Sequence, residues 1–354
     1  MSSKERLGWG PFFEEQVAHA PRANLSFARI VEEQRGAYRV AGDVEGWAEV
    51  SGRFRHEATC AADFPSVGDW VGISRSFSRS IIEWRLQRRS TVARAAAGIA
   101  TDEQVLAANV DTIFLVTAMT RDLNPHRLER YLTLVWEAGA VPVIVLSKSD
   151  LSADPEAECD RIRSRIPFVD VIAVSAMDDD GLAALMPYLR PAHTIALLGS
   201  SGVGKSTLIN RLLGRDTLRV NGLDANGKGR HTTTARQLVE LDGGALLIDT
   251  PGMRELQPWA DERAIDGAFD DIATIAERCR FADCTHANEP GCAVREAIDA
   301  GALDPDRLEH YRRLLREVAF QHRKRDKAAA AELKRKWKQL TRAAKALYRN
   351  RDRS

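Results

Sequence analysis

An α/β fold is predicted by three features of this 354-residue chain. Apolar strands alternate with helical stretches from residue 109 to about 256, short turn-punctuated strands precede them, and three cysteines and a histidine crowd into 14 residues after them. The chain divides accordingly into an N-terminal extension (1–35), a small β-barrel (36–92), a linker (93–108), the alternating α/β domain (109–256), a mainly helical Cys/His domain (257–315) and a basic helical tail (316–354).

Residues 1–35 carry no strong periodicity and read as an extension of uncertain order. From 37 onward, strand-like runs at 37–40, 47–52, 70–73 and 80–84 are separated by turn residues such as Gly42-Asp43, Gly46 and Gly68-Asp69. That spacing suits a five-stranded barrel of the OB type, and the alternative is another small β-domain acting as a spacer. The run Ala95-Ala96-Ala97-Gly98 reads as linker. Strands then follow at 110–118, 142–146, 171–174 and 194–198, with helices at 125–139, 157–165, 181–189 and 205–213, the last ended by Gly214. Such alternation places a parallel sheet between two helical layers.

The formal net charge is +1. It hides an uneven distribution, because residues 307–354 hold 17 Lys and Arg against 5 Asp and Glu, an excess of 12, while the rest of the chain is net acidic. A basic arm favours a polyanionic partner such as RNA, and the alternative is a solvated helix that aids solubility. The longest apolar runs, 112–119 and 141–146, are far short of the roughly 18 residues of a membrane span, and the first ten residues lack an apolar signal core. A cytoplasmic protein without membrane contact is expected, and a monomer is the simplest oligomeric state.

Gly199-Ser200-Ser201-Gly202-Val203-Gly204-Lys205-Ser206 follows an apolar strand and opens a helix, the context that marks a phosphate-binding loop. Its backbone N–H groups and helix N-terminus suit the β-phosphate, Lys205 the β- and γ-phosphates, and Ser206 a Mg²⁺ ion, with Thr207 beside it. Asp249-Thr250-Pro251-Gly252 ends a later strand, where Asp249 can hold the metal through water and Gly252 can offer its N–H to the γ-phosphate. Ser147-Lys148-Ser149-Asp150 ends another: a carboxylate there accepts from guanine N1–H and the 2-amino group, a donor pair adenine lacks, so Asp150 argues for GTP. The usual first residue of this motif is Asn, and Ser147 is shorter. Ser175-Ala176 would present a backbone N–H to guanine O6. Between the phosphate loop and Asp249 runs the glycine-rich stretch 227–234, in which Thr232, Thr233 or Thr234 should reach Mg²⁺ and the γ-phosphate. Met253 stands where many GTPases place a water-positioning Gln, so hydrolysis is slow or relies on another group. His231 is the candidate nearest in sequence, against the alternative of a solvated loop side chain.

The base-recognition motifs thus precede the phosphate motifs, the reverse of the order that opens and closes a GTPase domain. The domain reads as a circularly permuted P-loop GTPase, with GTP/GDP and Mg²⁺ as ligands.

Cys279, Cys284, His286 and Cys292 follow a Cys-x4-Cys-x-His-x5-Cys spacing that suits one closed tetrahedral Zn²⁺ site of structural type, the alternative being a disulfide with a spare thiol. Cys60 and Cys159 stand alone and read as buried apolar residues.

The permuted order, the loop Gly229-Arg230-His231-Thr232-Thr233-Thr234 and the Cys/His cluster together resemble the ribosome small subunit-dependent GTPase A (RsgA) family, over residues 36–315. Ala108-Asn109-Val110-Asp111, the segment 127–132 and the hydrophobic Met253 are also similar to that family, while Ser147 and the basic extension depart from it. The resemblance implies a GTPase that binds the nearly mature small (30S) ribosomal subunit and its rRNA, hydrolyses GTP there with ribosome stimulation and leaves, with a link to release of the assembly factor RbfA. Two other functions compete. One is an RNA-binding protein with a structural, slowly hydrolysed nucleotide, favoured by Met253 and Ser147. The other is a small-metabolite kinase, disfavoured by Asp150 and Ser175-Ala176.

Overall fold

The computed structural model describes residues 2–22, 24–34, 36–76, 79–95, 103–120, 123–178, 181–214, 236–249, 269–281, 283–287 and 289–316. They belong to two compact units, one built from residues 1–94 and 104–258, the other from 95–103 and 259–354.

The first unit begins with a barrel of five strands: β1 (Ser26–Gln34), β2 (Ala37–Gly42), β3 (Gly46–Val50), β4 (Trp70–Ser76) and β5 (Arg79–Arg85). They pair in the order β1-β2-β3-β5-β4, β1 pairs antiparallel with β4 to close the barrel, and β3 and β5 run parallel. This is the connectivity of an OB-type barrel. Trp70, Val71, Ile73 and Ile82 are all buried. The barrel starts about ten residues before the sequence pattern places it, because β1 has no clean alternation. It is flanked by strands on both edges, breaks register between Ile30 and Glu32, and buries Arg29 at its centre.

The residues described before the barrel hold two helices. Helices α1 (Ser3–Arg6) and α2 (Pro11–Val17) bring Trp9 and Phe13 onto the barrel, with Trp9 4.8 Å and Phe13 5.8 Å from Trp70 between ring centroids, and a short helix α3 (Gly52–Glu57) follows β3. Within the expected linker, β6 (Thr91–Ala95) and β7 (Glu103–Ala108) pair with each other.

The α/β part contributes β8 (Thr112–Ala118), β9 (Val141–Ser147), β10 (Asp170–Val174), β11 (Thr194–Leu198), β12 (Arg236–Glu240) and β13 (Leu246–Asp249). Their order is β10-β9-β8-β11-β13-β12, all parallel except β12. Both faces are buried: Ile113, Leu115 and Leu146 join one core, and Phe114, Val116 and Val145 the other. Helices α4 (Pro125–Glu137), α5 (Pro155–Arg165) and α6 (Lys205–Leu212) supply the layers, and their starts are fixed by Asn124 and Asp154 caps before prolines at α4 and α5. The helix expected at 181–189 is a 3₁₀ turn, Ala183–Tyr188, since Pro187 has no N–H to continue an α-helix.

Barrel and sheet are continuous. β12 pairs with β1 through Glu32 with Gln237 and Glu33 with Arg236, making one 11-stranded sheet. The junction is held by the buried Arg29, whose guanidinium donates to the carbonyls of Leu7, Gly68 and Asn109 at 2.7, 3.0 and 3.0 Å and to Thr194 Oγ1 at 2.9 Å. Burial lowers its pKa to about 10, so it stays charged at neutral pH.

The second unit is mainly helical among its described residues, with α7 (Asp270–Ala276), α8 (Ala293–Asp299) and a helix over 305–316. Its packing rests on Arg307, which grips Asp271 at 2.6 and 2.7 Å and lies 4.7 Å over the Phe269 ring. No helix among the described residues is long and apolar enough to cross a membrane.

Candidate functional site

In a parallel sheet the loops at the carboxyl ends of the strands form the crevice where ligands sit. Here those ends are Ala118, Ser147, Val174, Leu198 and Asp249, from five adjacent strands, and each sequence motif begins at one of the last four.

β11 is buried throughout and delivers the chain into Gly199. A side chain at Gly199 would place its Cβ 2.1 Å from the Val116 carbonyl, and Gly202 and Gly204 have positive φ of 82° and 97°. Only glycine meets both demands without strain. Gly204 then caps α6, whose first residue is Lys205. The Lys205 ammonium is buried and donates to the Gly199 and Ser200 carbonyls at 2.6 and 2.5 Å, so the loop already holds its own cation. Ser206 and Thr207 follow in the first helical turn. An anion at this N-terminus would meet aligned N–H groups and one fixed positive charge.

The loop after β9 is clamped against the phosphate loop. Lys148 adopts the left-handed conformation (φ 59°) and its ammonium donates to the Gly202 carbonyl at 2.9 Å. Ser147 is buried, and its hydroxyl lies 2.6 Å from the Val203 carbonyl and 3.1 Å from the Thr117 carbonyl. Ser149 and Asp150 form the 3₁₀ turn that follows. Ser175, beyond β10, donates its hydroxyl to Asp150 Oδ1 at 2.9 Å and accepts from the Met177 N–H at 3.1 Å. Ala176 lies between them, in a turn closed by Ser175 N–H to the Gly181 carbonyl. At Gly181 a Cβ would stand 2.1 Å from the Ser175 carbonyl. The carboxylate of Asp150 is thus oriented by a neighbour beyond the adjacent strand, a role for Ser175 that its place in the motif does not announce.

Asp249 ends β13, two strands from β8 across β11. Thr250, Gly252, Met253, His231, Thr232, Thr233 and Thr234 lie outside the described residues, as does the tail beyond 316.

In the second unit, Cys279, Cys284, His286 and Cys292 converge, their ligand atoms all within 4.8 Å of one another. His286 Nδ1 lies 3.6 Å from Cys279 Sγ and 3.5 Å from Cys292 Sγ, and the two sulfurs are 4.0 Å apart. A tetrahedral ion with bonds of about 2.0–2.3 Å spaces its ligands by roughly 3.5–3.8 Å, so this donor set fits zinc. The Cys279–Cys292 sulfur separation is about twice a disulfide bond, and all three cysteines are free thiols. Burial opposes ionisation of Cys279, but N–H groups of Val294 and Ala293 at the start of α8 overcome it and hold this thiol below its usual value. Burial, then the charge of Arg312, lowers the pKa of His286 and favours the neutral imidazole that a metal requires. Arg312 also donates to the His286 carbonyl from the helix over 305–316, a support the Cys/His spacing does not announce.

The RsgA GTPase family model matches residues 85–259. The small ribosomal subunit biogenesis GTPase RsgA of Opitutus terrae is 45% identical, over 97% of this chain and 97% of that protein. RsgA 2 of Lactiplantibacillus plantarum is 45% identical over 83% of each. Among solved structures, YjeQ from Thermotoga maritima superposes with a TM-score of 0.61 at 25% identity, covering 83% of this chain and 99% of that one. YloQ, described as a circularly permuted GTPase, gives 0.60 at 25% identity over 86% and 98%.

Proposed function

The chain belongs to the RsgA GTPase family, and from that premise we propose that it binds the small ribosomal subunit and hydrolyses GTP late in that subunit's maturation, leaving once hydrolysis is done. The observation that carries this reading is the clamp of the loop after β9 on the phosphate loop, Ser147 and Lys148 to Val203 and Gly202, which brings two separated motifs together as a shared nucleotide site requires. Gly199 to Lys205 would cradle the phosphates, Ser206 and Asp249 would hold Mg²⁺ with one threonine of 232–234, and Asp150 with Ala176 would select guanine. The bound ion would offset charge developing on the phosphate oxygens. His231 is the candidate for positioning water.

Cys279, Cys284, His286 and Cys292 would hold one structural Zn²⁺, and four protein ligands leave no open coordination position. The barrel, the zinc module and the basic tail are the surfaces assigned to rRNA. A cytoplasmic monomer, and a link to RbfA release, complete the reading. The chain connecting Asp249 to the zinc module runs through the γ-phosphate-sensing segment, so nucleotide state would reorient that module on the ribosome; equal orientation with GDP and a GTP analogue would sink this coupling.

The test is turnover of GTP and ATP by the purified zinc-loaded protein, alone and with small subunits, large subunits or naked rRNA. Stimulation of GTP hydrolysis by small subunits alone is expected. Equal slow turnover in every condition would favour the RNA-binding protein with a structural nucleotide. Lys205→Ala should block release from small subunits; a variant changed only in stability would contradict the role given to hydrolysis.

A further inference from the structure

We propose that this protein recognises guanine without a hydrogen bond to N7, because residue 147 directs its only proton into the protein. The inference rests on assigning the base to the loops at Asp150 and Ala176.

Ser147 is the last residue of β9 and is 2% exposed. Its Oγ has two close neighbours, the Val203 carbonyl at 2.6 Å and the Thr117 carbonyl at 3.1 Å. Both are acceptors only, so the hydroxyl must donate, and a hydroxyl has a single proton to give. Guanine N7 is likewise an acceptor. Nothing remains on Ser147 for it. An Asn in this place carries two amide protons, enough to hold the Val203 carbonyl and still offer one to the base. The Ser175 hydroxyl is committed too, donating to Asp150 Oδ1 at 2.9 Å.

Ser147 is therefore a positioning residue. It ties the sheet edge to Val203, the residue before Gly204, and keeps the phosphate loop in place from a position 56 residues earlier in the chain. Recognition of the base falls to its Watson–Crick edge, with the Asp150 carboxylate on N1–H and the 2-amino group and the Ala176 N–H on O6. Guanine nucleotides altered at N7 are then accepted as well as GDP and GTP themselves, which makes position 147 a determinant of analogue tolerance.

The experiment measures displacement of a fluorescent GDP from the full-length protein by GDP, 7-deaza-GDP, in which N7 is a C–H, and inosine diphosphate, which lacks the 2-amino group. The expected result is 7-deaza-GDP within about twofold of GDP and inosine diphosphate weaker by about tenfold or more. Ser147→Asn should gain a preference for GDP over 7-deaza-GDP of about fivefold, the worth of one added hydrogen bond. Ser147→Ala should release GDP faster yet keep the N7 ratio near one. A wild-type protein that disfavours 7-deaza-GDP fivefold or more overturns the proposal, and a Ser147→Asn variant that gains no preference overturns the role given to residue 147. If inosine diphosphate binds as tightly as GDP, the base site itself is misassigned, an outcome separate from either.

Discussion

Arg29→Met removes the junction between barrel, N-terminal segment and nucleotide sheet, and its cost can be worked from the contacts. The guanidinium makes four hydrogen bonds, to the Leu7, Gly68 and Asn109 carbonyls and to Thr194 Oγ1, and is 1% exposed. A methionine fills a similar volume but donates nothing. Three buried carbonyls lose a donor, at about 1–3 kcal/mol each where water cannot enter. The Gly68 and Thr194 acceptors have partial relief, since Asn109 Nδ2 also donates to Gly68 and the Thr194 hydroxyl can rotate. Against the loss stands the removed desolvation penalty of a cation whose pKa is already pulled down to about 10. The balance is a destabilisation of about 3 kcal/mol. Arg29→Lys keeps the charge but cannot span four acceptors at fixed geometry, and should lose about half as much. Urea unfolding followed by tryptophan fluorescence reads the effect, because Trp9 and Trp70 pack together beside this junction. An Arg29→Met protein within about 1 kcal/mol of wild type would refute the view that this one side chain holds the junction.

Two further predictions follow from the site chemistry. Asp150→Asn replaces an acceptor of two base protons by a group that also donates, so binding should shift from guanine toward xanthine nucleotides, whose O2 accepts; competition with xanthosine diphosphate reads it, and unchanged GDP preference would place the base elsewhere. Chelation of bound metal, or Cys292→Ser, should release about one zinc per chain and unfold the second unit, seen as lost helical circular dichroism and new protease cleavage after residue 258, while guanine binding by the first unit persists. A chain that holds no zinc, or keeps its second unit intact without it, would contradict the ligand set.

Legibility in the sequence followed the reach of the interactions. Strands β8, β9 and β11 are buried on two faces and read as apolar runs, and the phosphate loop is legible because Gly202 and Gly204 serve a local demand, positive φ, whereas the close approach at Gly199 is to Val116 on another strand. Even there the apolar pattern at 181–189 suggests an α-helix, and Pro187 confines 183–188 to a 3₁₀ turn. At the candidate site the residue types were legible and their partners were not. In the motif Ser147 reads as a shortened base contact, whereas its hydrogen bond to Val203 spans 56 positions.

By itself the sequence determined the alternating α/β sheet, the reversed order of the nucleotide motifs and the Cys/His cluster, because each depends on periodicity, motif order or spacing along the chain. Only the tertiary structure decided that 26–34 is a barrel strand, that the barrel continues into the nucleotide sheet through β1 and β12, and that Ser147 serves the phosphate loop. The reason is the same in all three. β1 takes partners on both edges and buries a charge at its centre, and β12 meets it from some 200 residues away, so their hydrogen-bonding groups find donors and acceptors that no local pattern encodes.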